Sequence, residues 1–305
     1  MKTKLIIHPF ELDRDWVDRM CELGVDTLGI HPEGGGDAHK KLAWSLGYFR
    51  TEGFREGIDY ARSRGLRVEY EMHVASYLLP RELFSEHPEW FRMDREGKRT
   101  PQHNFCVSNA EALDFVANRA LELADQLYGS EPCYYFWLDD VKDSYCHCPR
   151  CPHLSPSDQN LTVMNAMLRA LRRREPEATL AYLAYYECMM PPGEVAPEEG
   201  IFLEYAPFER DITKSAQLVP DSERENLQRL FDFFGREQAW LLEYWYDNSW
   251  YTRRGLEYSV DNAVVADDVR YYRALGFKNI SSFACFLAAP FVAEHGVPDL
   301  SGING

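Results

Sequence analysis

The sequence predicts a (β/α)8 barrel of the TIM type, running as one catalytic-type domain over residues 1–305. Three observations predict it. Short apolar runs rich in Val, Ile, Tyr and Phe alternate with longer segments of helical period, which argues for parallel βα units. There are eight such runs, the number a closed barrel of this kind needs. Several helical segments end on a glycine just ahead of the next run, the usual C-terminal stop.

In chain order, KLIIHP (4–9) is the first strand and DRDWVDRMCELG (13–24) the helix after it. VDTLGIHP (25–32) is the second strand; EGGGDAH (33–39) lacks the Gly-Lys-Ser/Thr ending of a phosphate loop and reads as a flexible loop, followed by a helix in FREGIDYARSRG (54–65). LRVEYEMH (66–73) is the third strand, and the 30-odd residues that follow it, 76–109, form a long insertion on the face where barrel active sites are built. The helix NAEALDFVANRALELADQLYG (109–129) leads to the fourth strand, CYYFWLDD (133–140). DQNLTVMNAMLRALRRREP (158–176) is the next helix, its arginine-rich end solvated and suited to the helix dipole. TLAYLAYYE (179–187) and GIFLEYAP (200–207) are the fifth and sixth strands, joined by CMMPPGEVAPEEG, too rich in Pro and Gly for a helix. SERENLQRLFDFFG (222–235), AWLLEYWYD (239–247), AVVADDVRYYRALG (263–276) and FKNISSFACF (277–286) complete the alternation. The tail 287–305 holds at most a turn or two, so the barrel is irregular at its fifth and eighth helices.

A formal charge of −16 and a pI near 5.0 argue against nucleic acid, whose binding surfaces need clustered Lys and Arg, and suit anionic membranes poorly. An N-terminal apolar run stopped by His8 and Pro9 is too short for a signal peptide, so the expected compartment is the cytoplasm. There the eight cysteines are expected as thiols or metal ligands rather than disulfides. Oligomeric state is left open.

In barrels of this kind the chemistry sits where strands end. These ends offer His8, His31 with Glu33, His73, then Asp139 and Asp140; later ones carry Tyr185, Tyr186 and Glu187, Glu204 and Tyr205, and Glu243, Tyr244, Trp245, Asp247 and Asn248. A strand end leaves wet backbone where any one Asp or His is ordinary. Seven of the eight ends behaving alike describe an acidic, aromatic site suited to a neutral oligosaccharide or glycoconjugate. The adjacent pair Asp139–Asp140 is too tight for two carboxylates facing each other across a sugar, but it suits substrate-assisted cleavage, where the 2-acetamido oxygen is the nucleophile. Asp139 then orients the acetamide N–H, and Asp140, its pKa raised by burial or by its charged neighbour, acts as acid and then base. His31, His73, Tyr186, Glu187, Glu204, Glu243, Tyr244, Trp245 and Asn248 are the expected sugar contacts, with Glu187 a competitor for the acid role. The plainer alternative is that one Asp caps a turn and the other faces water.

Cys146, Cys148 and Cys151 form C-x-C-x-x-C in the loop after the fourth strand. Three thiolates within six residues can wrap a zinc ion that needs a fourth ligand. Cys106 is the first choice for it and His153 the second. Such an ion is structural, so no cofactor is expected for catalysis itself. A redox reading of CPRC lacks the helix N-terminus such thiols use.

The segments HPEWFRMDREGKRTPQHNFCVSNAEAL, FWLDDVKDSYCHCPRC and SPSDQNLTVMNAMLRALRRREPEATLAYLAYYECMMPP resemble the barrel family known as domain of unknown function 4838, over roughly residues 87–192. The C-x-C-x-x-C after an acidic strand end and the tyrosine run before Pro-Pro are the most specific pieces. That family contains endo-acting β-N-acetylglucosaminidases of complex N-glycans. The resemblance therefore implies a glycoside hydrolase-like barrel with Asp140 or a neighbour as acid. The Asp pair is also similar to the paired acids of hexosaminidases and O-GlcNAc hydrolases. Characterised members are usually secreted with further domains, whereas this sequence reads as a bare barrel. Two alternatives stand beside the glycosidase: a metal-dependent barrel hydrolase or isomerase using His8, His31, His73 and Glu71 or Glu243, and a carbohydrate-binding barrel without turnover.

Overall fold

The computed structural model describes residues 2–305. Eight parallel strands follow one another around a closed barrel in sequence order: β1 (Lys2–Ile7), β2 (Thr27–Ile30), β3 (Arg67–His73), β4 (Cys133–Trp137), β5 (Thr179–Ala184), β6 (Ile201–Tyr205), β7 (Trp240–Glu243) and β8 (Asn279–Phe283). The helices are α1 (Arg14–Glu22), α2 (Ala38–Tyr48), α3 (Glu52–Ser63), α4 (Ala75–Leu78), α5 (Ala110–Ala124), α6 (Pro156–Leu171), α7 (Asp221–Phe234), α8 (Asn248–Thr252), α9 (Asn262–Leu275) and α10 (Ala289–His295).

Most of the main helices begin where a side chain caps them; α2 and α7 do not. Asp13 accepts from the Trp16 N–H at 2.8 Å and Asn109 from that of Ala112 at 3.0 Å. Ser155 and Asp158 cap each other's backbone, with Pro156 in the first turn, at the start of α6. Gly276, at φ +115°, ends α9 in the left-handed conformation that glycine takes without strain.

Besides the short α4 and α8, one long helix differs from the expectation. AHKKLAWSLGY, unassigned in the sequence reading, is α2, because Ala38, Leu42, Ser45 and Leu46 fall on one helical face and are buried. The glycine run just before it hides that period. The Pro/Gly-rich connection from β5 to β6 contains no α-helix, and polar side chains of α6 hold it instead. Asp158 Oδ1 accepts from the N–H groups of Gly193, Glu194 and Val195 at 2.8–3.1 Å, and Asn165 bonds Ala196 O and Glu198 N at 2.8 Å each.

The chain divides into two compact units: Met1–His31, Thr51–Glu69 and Leu203–Gly305 form the first, Pro32–Arg50 and Tyr70–Phe202 the second. In the first, β1 runs parallel to β2 and to β8, and β7 to both β6 and β8. Its core encloses a buried ion pair, Lys4 Nζ to Glu69 Oε2 at 3.1 Å, with the same ammonium 4.3 Å from the centre of the Trp240 ring. In the second, β4 lies between β3 and β5, with His73 level with Trp137. No described helix is long and apolar enough to cross a membrane.

Candidate active site

In the second unit, β4 is buried from Tyr134 through Leu138, and Asp139 and Asp140 emerge half-buried where it ends. Their carboxylates engage different partners. Asp139 Oδ1 accepts from the Ser76 backbone N–H at 3.0 Å, and its Oδ2 from the Ser76 hydroxyl. Ser76 lies in the first turn of α4, whose own preceding residue, Val74, has no capping side chain, so Asp139 supplies that cap. The Asp139 N–H is held at 3.0 Å by Asn104 Oδ1, whose amide in turn donates to Ser144 Oγ at 2.9 Å. Arg81, close enough to Asp139 to feel its charge, donates to the carbonyls of Pro101 and His103 at 2.7 and 2.6 Å. Burial brings the Arg81 guanidinium down to about 10, with Asp139 opposing. Burial likewise holds His103 below the ordinary imidazole value, against Asp139.

Asp140 looks the other way. Its Oδ1 accepts from the Tyr185 hydroxyl at 2.9 Å and its Oδ2 from the Gly35 N–H at 3.1 Å. A Cβ on Gly34 would come within 3.0 Å of Asp140 Oδ2 and 3.3 Å of the His73 ring, so the backbone approaches this closely only because residue 34 has no side chain. The His73 Nδ1 is 2.6 Å from Leu138 O, which orients the imidazole. The glycine loop after β2 therefore lines the acid pair, and its approach to Asp140 is more specific than the flexible loop expected.

Three non-glycine residues in these loops have left-handed backbones: His103 (φ 62°), Asp143 (φ 54°) and Tyr186 (φ 47°). Such residues persist where surrounding contacts over-determine them, and they concentrate at functional sites. At Tyr186 the turn sends Tyr185 toward Asp140 and leaves the two rings 3.9 Å apart, with Lys142 Nζ 4.8 Å from the Tyr186 ring centre. Glu187 is exposed, and its Oε1 takes the Asp143 N–H at 2.7 Å, so here it braces the loop.

Beside this site the four cysteines 106, 146, 148 and 151 converge, all buried, their sulfurs within 4.8 Å of one another. His153 is exposed and is not among them. Hydrogen bonds with Cys146 and Cys151 draw the Cys106 thiol far below the usual range, and the bond to Cys106 pushes Cys146 up to about 11.

The remaining expected sugar contacts belong to the first unit. His31 and Glu204 are buried; the His31 carbonyl lies 2.7 Å from His8 Nδ1. Glu243 is fully buried, its Oε1 accepting from Arg210 Nε at 2.6 Å and from the Tyr272 hydroxyl at 2.9 Å. Burial raises the Glu243 carboxyl above its ordinary value, against the neighbouring Arg210. Arg210 also donates at 2.5 Å to Asp268 Oδ2, which takes the Trp245 indole N–H at 3.1 Å as well. Trp245 is 1% exposed and belongs to this packed polar cluster. Tyr244 packs on Phe283 and Phe208, with ring centres 5.1 and 4.9 Å away, and Asn248 donates to Phe286 O at 3.3 Å. His8, Glu11 and Cys285 form a second tight group of potential ligands. Both Glu11 oxygens already accept backbone N–H groups, from His8 at 3.1 Å and Leu287 at 3.0 Å, and burial lifts its carboxyl to about 7. Neither group of potential metal ligands includes His31, His73, Glu71 or Glu243.

Sequence reasoning passed over Ser76, His103 and Asn104, and chose Tyr186 over Tyr185 as a contact. Asn104 carries a usable signal, lying two residues ahead of Cys106.

Residues 43–233 match the family described as Domain of unknown function (DUF4838). The chain belongs to that family. No curated protein sequence matches this DUF4838 member. Among solved structures, it is similar to a β-N-acetylhexosaminidase from Bacteroides fragilis, at 12% identity and a TM-score of 0.59 over 99% of this chain and 65% of that one. It is also similar to a β-galactosidase from the psychrophilic Marinomonas ef1, at 12% identity and a TM-score of 0.54, covering 95% and 55%. A third is the tandem catalytic modules of a pneumococcal exo-β-D-N-acetylglucosaminidase, at 12% identity and a TM-score of 0.51, covering 99% and 82%. At these identities the likeness is one of fold: a barrel that glycoside hydrolases also use. The chain spans less than two thirds of the length of the first two structures.

Proposed function

We propose that the chain is a glycoside hydrolase that cleaves β-linked N-acetylhexosamine glycans with retention, the substrate's own acetamide acting as nucleophile. The observation that carries this reading is the division of labour between two consecutive carboxylates. Asp139 is a fixed acceptor anchored on Ser76, while Asp140 meets a hydroxyl that can reverse its role. Tyr185 donates to an ionised Asp140 and can rotate to accept from a protonated one.

In the first step Asp140 gives its proton to the glycosidic oxygen as the C1–O bond breaks. The acetamido carbonyl oxygen forms the new bond to C1, and positive charge builds on the amide nitrogen. Asp139, beside it, accepts that N–H and stabilises the charge as it develops. In the second step ionised Asp140 takes a proton from water as the water oxygen attacks C1 and the acetamide bond to C1 opens, which restores the β-configuration. N-acetylhexosamine is the first sugar to try because two of the similar structures carry that activity in their names.

A second reading, sugar binding without turnover, draws on one observation: every oxygen of the Asp pair already has a protein donor. The test is NMR of the first anomer released from aryl β-N-acetylhexosaminides and from N-glycan oligosaccharides. Retention requires the β-anomer to appear before mutarotation. An α-anomer as first product contradicts the mechanism, and binding without product selects the second reading.

A further inference from the structure

The four-cysteine cluster is used by no step above. We infer that Cys106, Cys146, Cys148 and Cys151 bind one zinc ion as a tetrathiolate, and that this ion fixes the loop carrying Asn104 against the loop carrying the Asp pair. The inference stands independently of the glycosidase reading.

Geometry comes first. A zinc–sulfur bond of about 2.3 Å sets sulfur–sulfur edges of about 3.8 Å in a tetrahedron. Here Cys148 Sγ lies 3.6 Å from both Cys106 Sγ and Cys151 Sγ, and all four sulfurs fall within 4.8 Å. Small inward or outward shifts would bring them to the bonding shell. An all-sulfur tetrahedral set selects zinc or iron over calcium, magnesium or manganese.

The surroundings suit a doubly negative Zn(SR)4 centre. The Met93 N–H points at Cys146 Sγ from 3.4 Å, Arg99 Nη1 approaches the same sulfur at 3.9 Å, and the Ser108 hydroxyl lies 2.9 Å from Cys151 Sγ. Donors to ligating sulfurs are the usual outer support of such an ion. The backbone is prepared as well. Gln159 of α6 clamps Cys146 through its N–H at 2.9 Å and its carbonyl at 3.1 Å, and the Cys151 N–H closes a turn on Cys148 O at 2.8 Å. Binding exchanges the protons the thiols still carry for the metal, with no redox step.

The site joins two segments that would otherwise be long loops. Cys106 ends the hairpin-like part of the insertion, where Phe91 bridges Phe105 and Met93 bridges Arg99. Asn104, two residues earlier, holds the Asp139 N–H and also Ser144, itself two residues before Cys146. Fixing the sulfurs therefore fixes the support of Asp139.

The test uses the whole chain purified under reducing conditions. Expected results are one zinc per chain by elemental analysis and native mass spectrometry, and thiolate-to-metal charge-transfer bands of four-sulfur intensity after cobalt(II) replacement. Cys148→Ser should lose the ion, whereas Cys21→Ser keeps it. Amide exchange at Asp139 and Cys106 should accelerate after chelation while α9 is unchanged. Iron in place of zinc, two disulfides among these four residues, or zinc retained by folded Cys148→Ser overturns the inference. Should Cys148→Ser fail to fold, the metal count and the cobalt spectrum of the native chain still decide.

Discussion

Arg210 offers the most quantitative test of how the first unit is built. Its guanidinium bridges two fully buried carboxylates, Glu243 at 2.6 Å and Asp268 at 2.5 Å. Replacing it by methionine keeps most of the volume and removes the only cation in these contacts. Taking one partner from a buried ion pair costs about 3–5 kcal/mol, because the charge left behind has no compensation. For a chain of 305 residues the unfolding entropy is about 0.6 kcal/mol per degree, so the melting temperature should fall by about 5–8 °C. The deficit has a definite pH dependence. Burial already raises the Glu243 carboxyl, and losing Arg210 removes the charge that opposes this. The folded variant then keeps a proton that the unfolded chain releases above the ordinary carboxylate pKa, so its stability falls as pH rises. Melting followed by circular dichroism from about pH 5 to pH 8 should show the deficit growing toward the alkaline end. Adding Glu243→Gln and Asp268→Asn to Arg210→Met should recover most of the loss. A deficit below about 1 °C at neutral pH, or one that grows in acid, refutes the reasoning.

Glu11 should make the native protein less stable as pH rises. Its folded value of about 7 lies above the ordinary 4.5, so stability present below that value is lost through this window, by about 3 kcal/mol. Denaturant titrations should show the advantage of Glu11→Gln over the native chain increasing from acid to neutral pH; a constant difference contradicts this. Gly34→Ala places a methyl 3.0 Å from Asp140 Oδ2, and should lower kcat/KM for a cleaved glycan by about tenfold or more with the melting temperature almost unchanged. Unaltered kinetics would remove Asp140 from the reacting centre.

The barrel was legible because the strands are short apolar runs that mostly close on polar residues, and most of the helices between them carry their own caps. Asp13 and Asn109 are readable as starts and Gly276 as a stop, whereas the helix read from Asp158 begins earlier, at its Ser155 cap. α2 was not legible because Gly34, Gly35 and Gly36 precede it and draw attention to a loop. Within the site, the prominent carboxylates and thiols could be found by type and spacing, and their partners could not. Ser76 and Asn104 are ordinary residues in an insertion, made important only by where the chain folds back. Glu243 and Trp245 look in sequence like any other strand-end candidates. What sets them apart is Arg210, 33 positions before Glu243, which meets the Glu243 carboxylate and the Asp268 that binds the Trp245 indole. Choosing between Tyr185 and Tyr186 required the left-handed backbone at Tyr186, which is unusual for an aromatic residue and has no signature in the pattern.

The proposed role of Asp140 is that of acid and base in a β-N-acetylhexosaminide hydrolase. Product release from β-GlcNAc and β-GalNAc glycosides and from N-glycan oligosaccharides, compared between the native protein and Asp140→Asn, tests it most directly. The native chain should cleave, and a variant whose melting temperature is preserved should show no cleavage above background. Cleavage by folded Asp140→Asn at the native rate, or no cleavage of any of these substrates by the folded native protein, would contradict it.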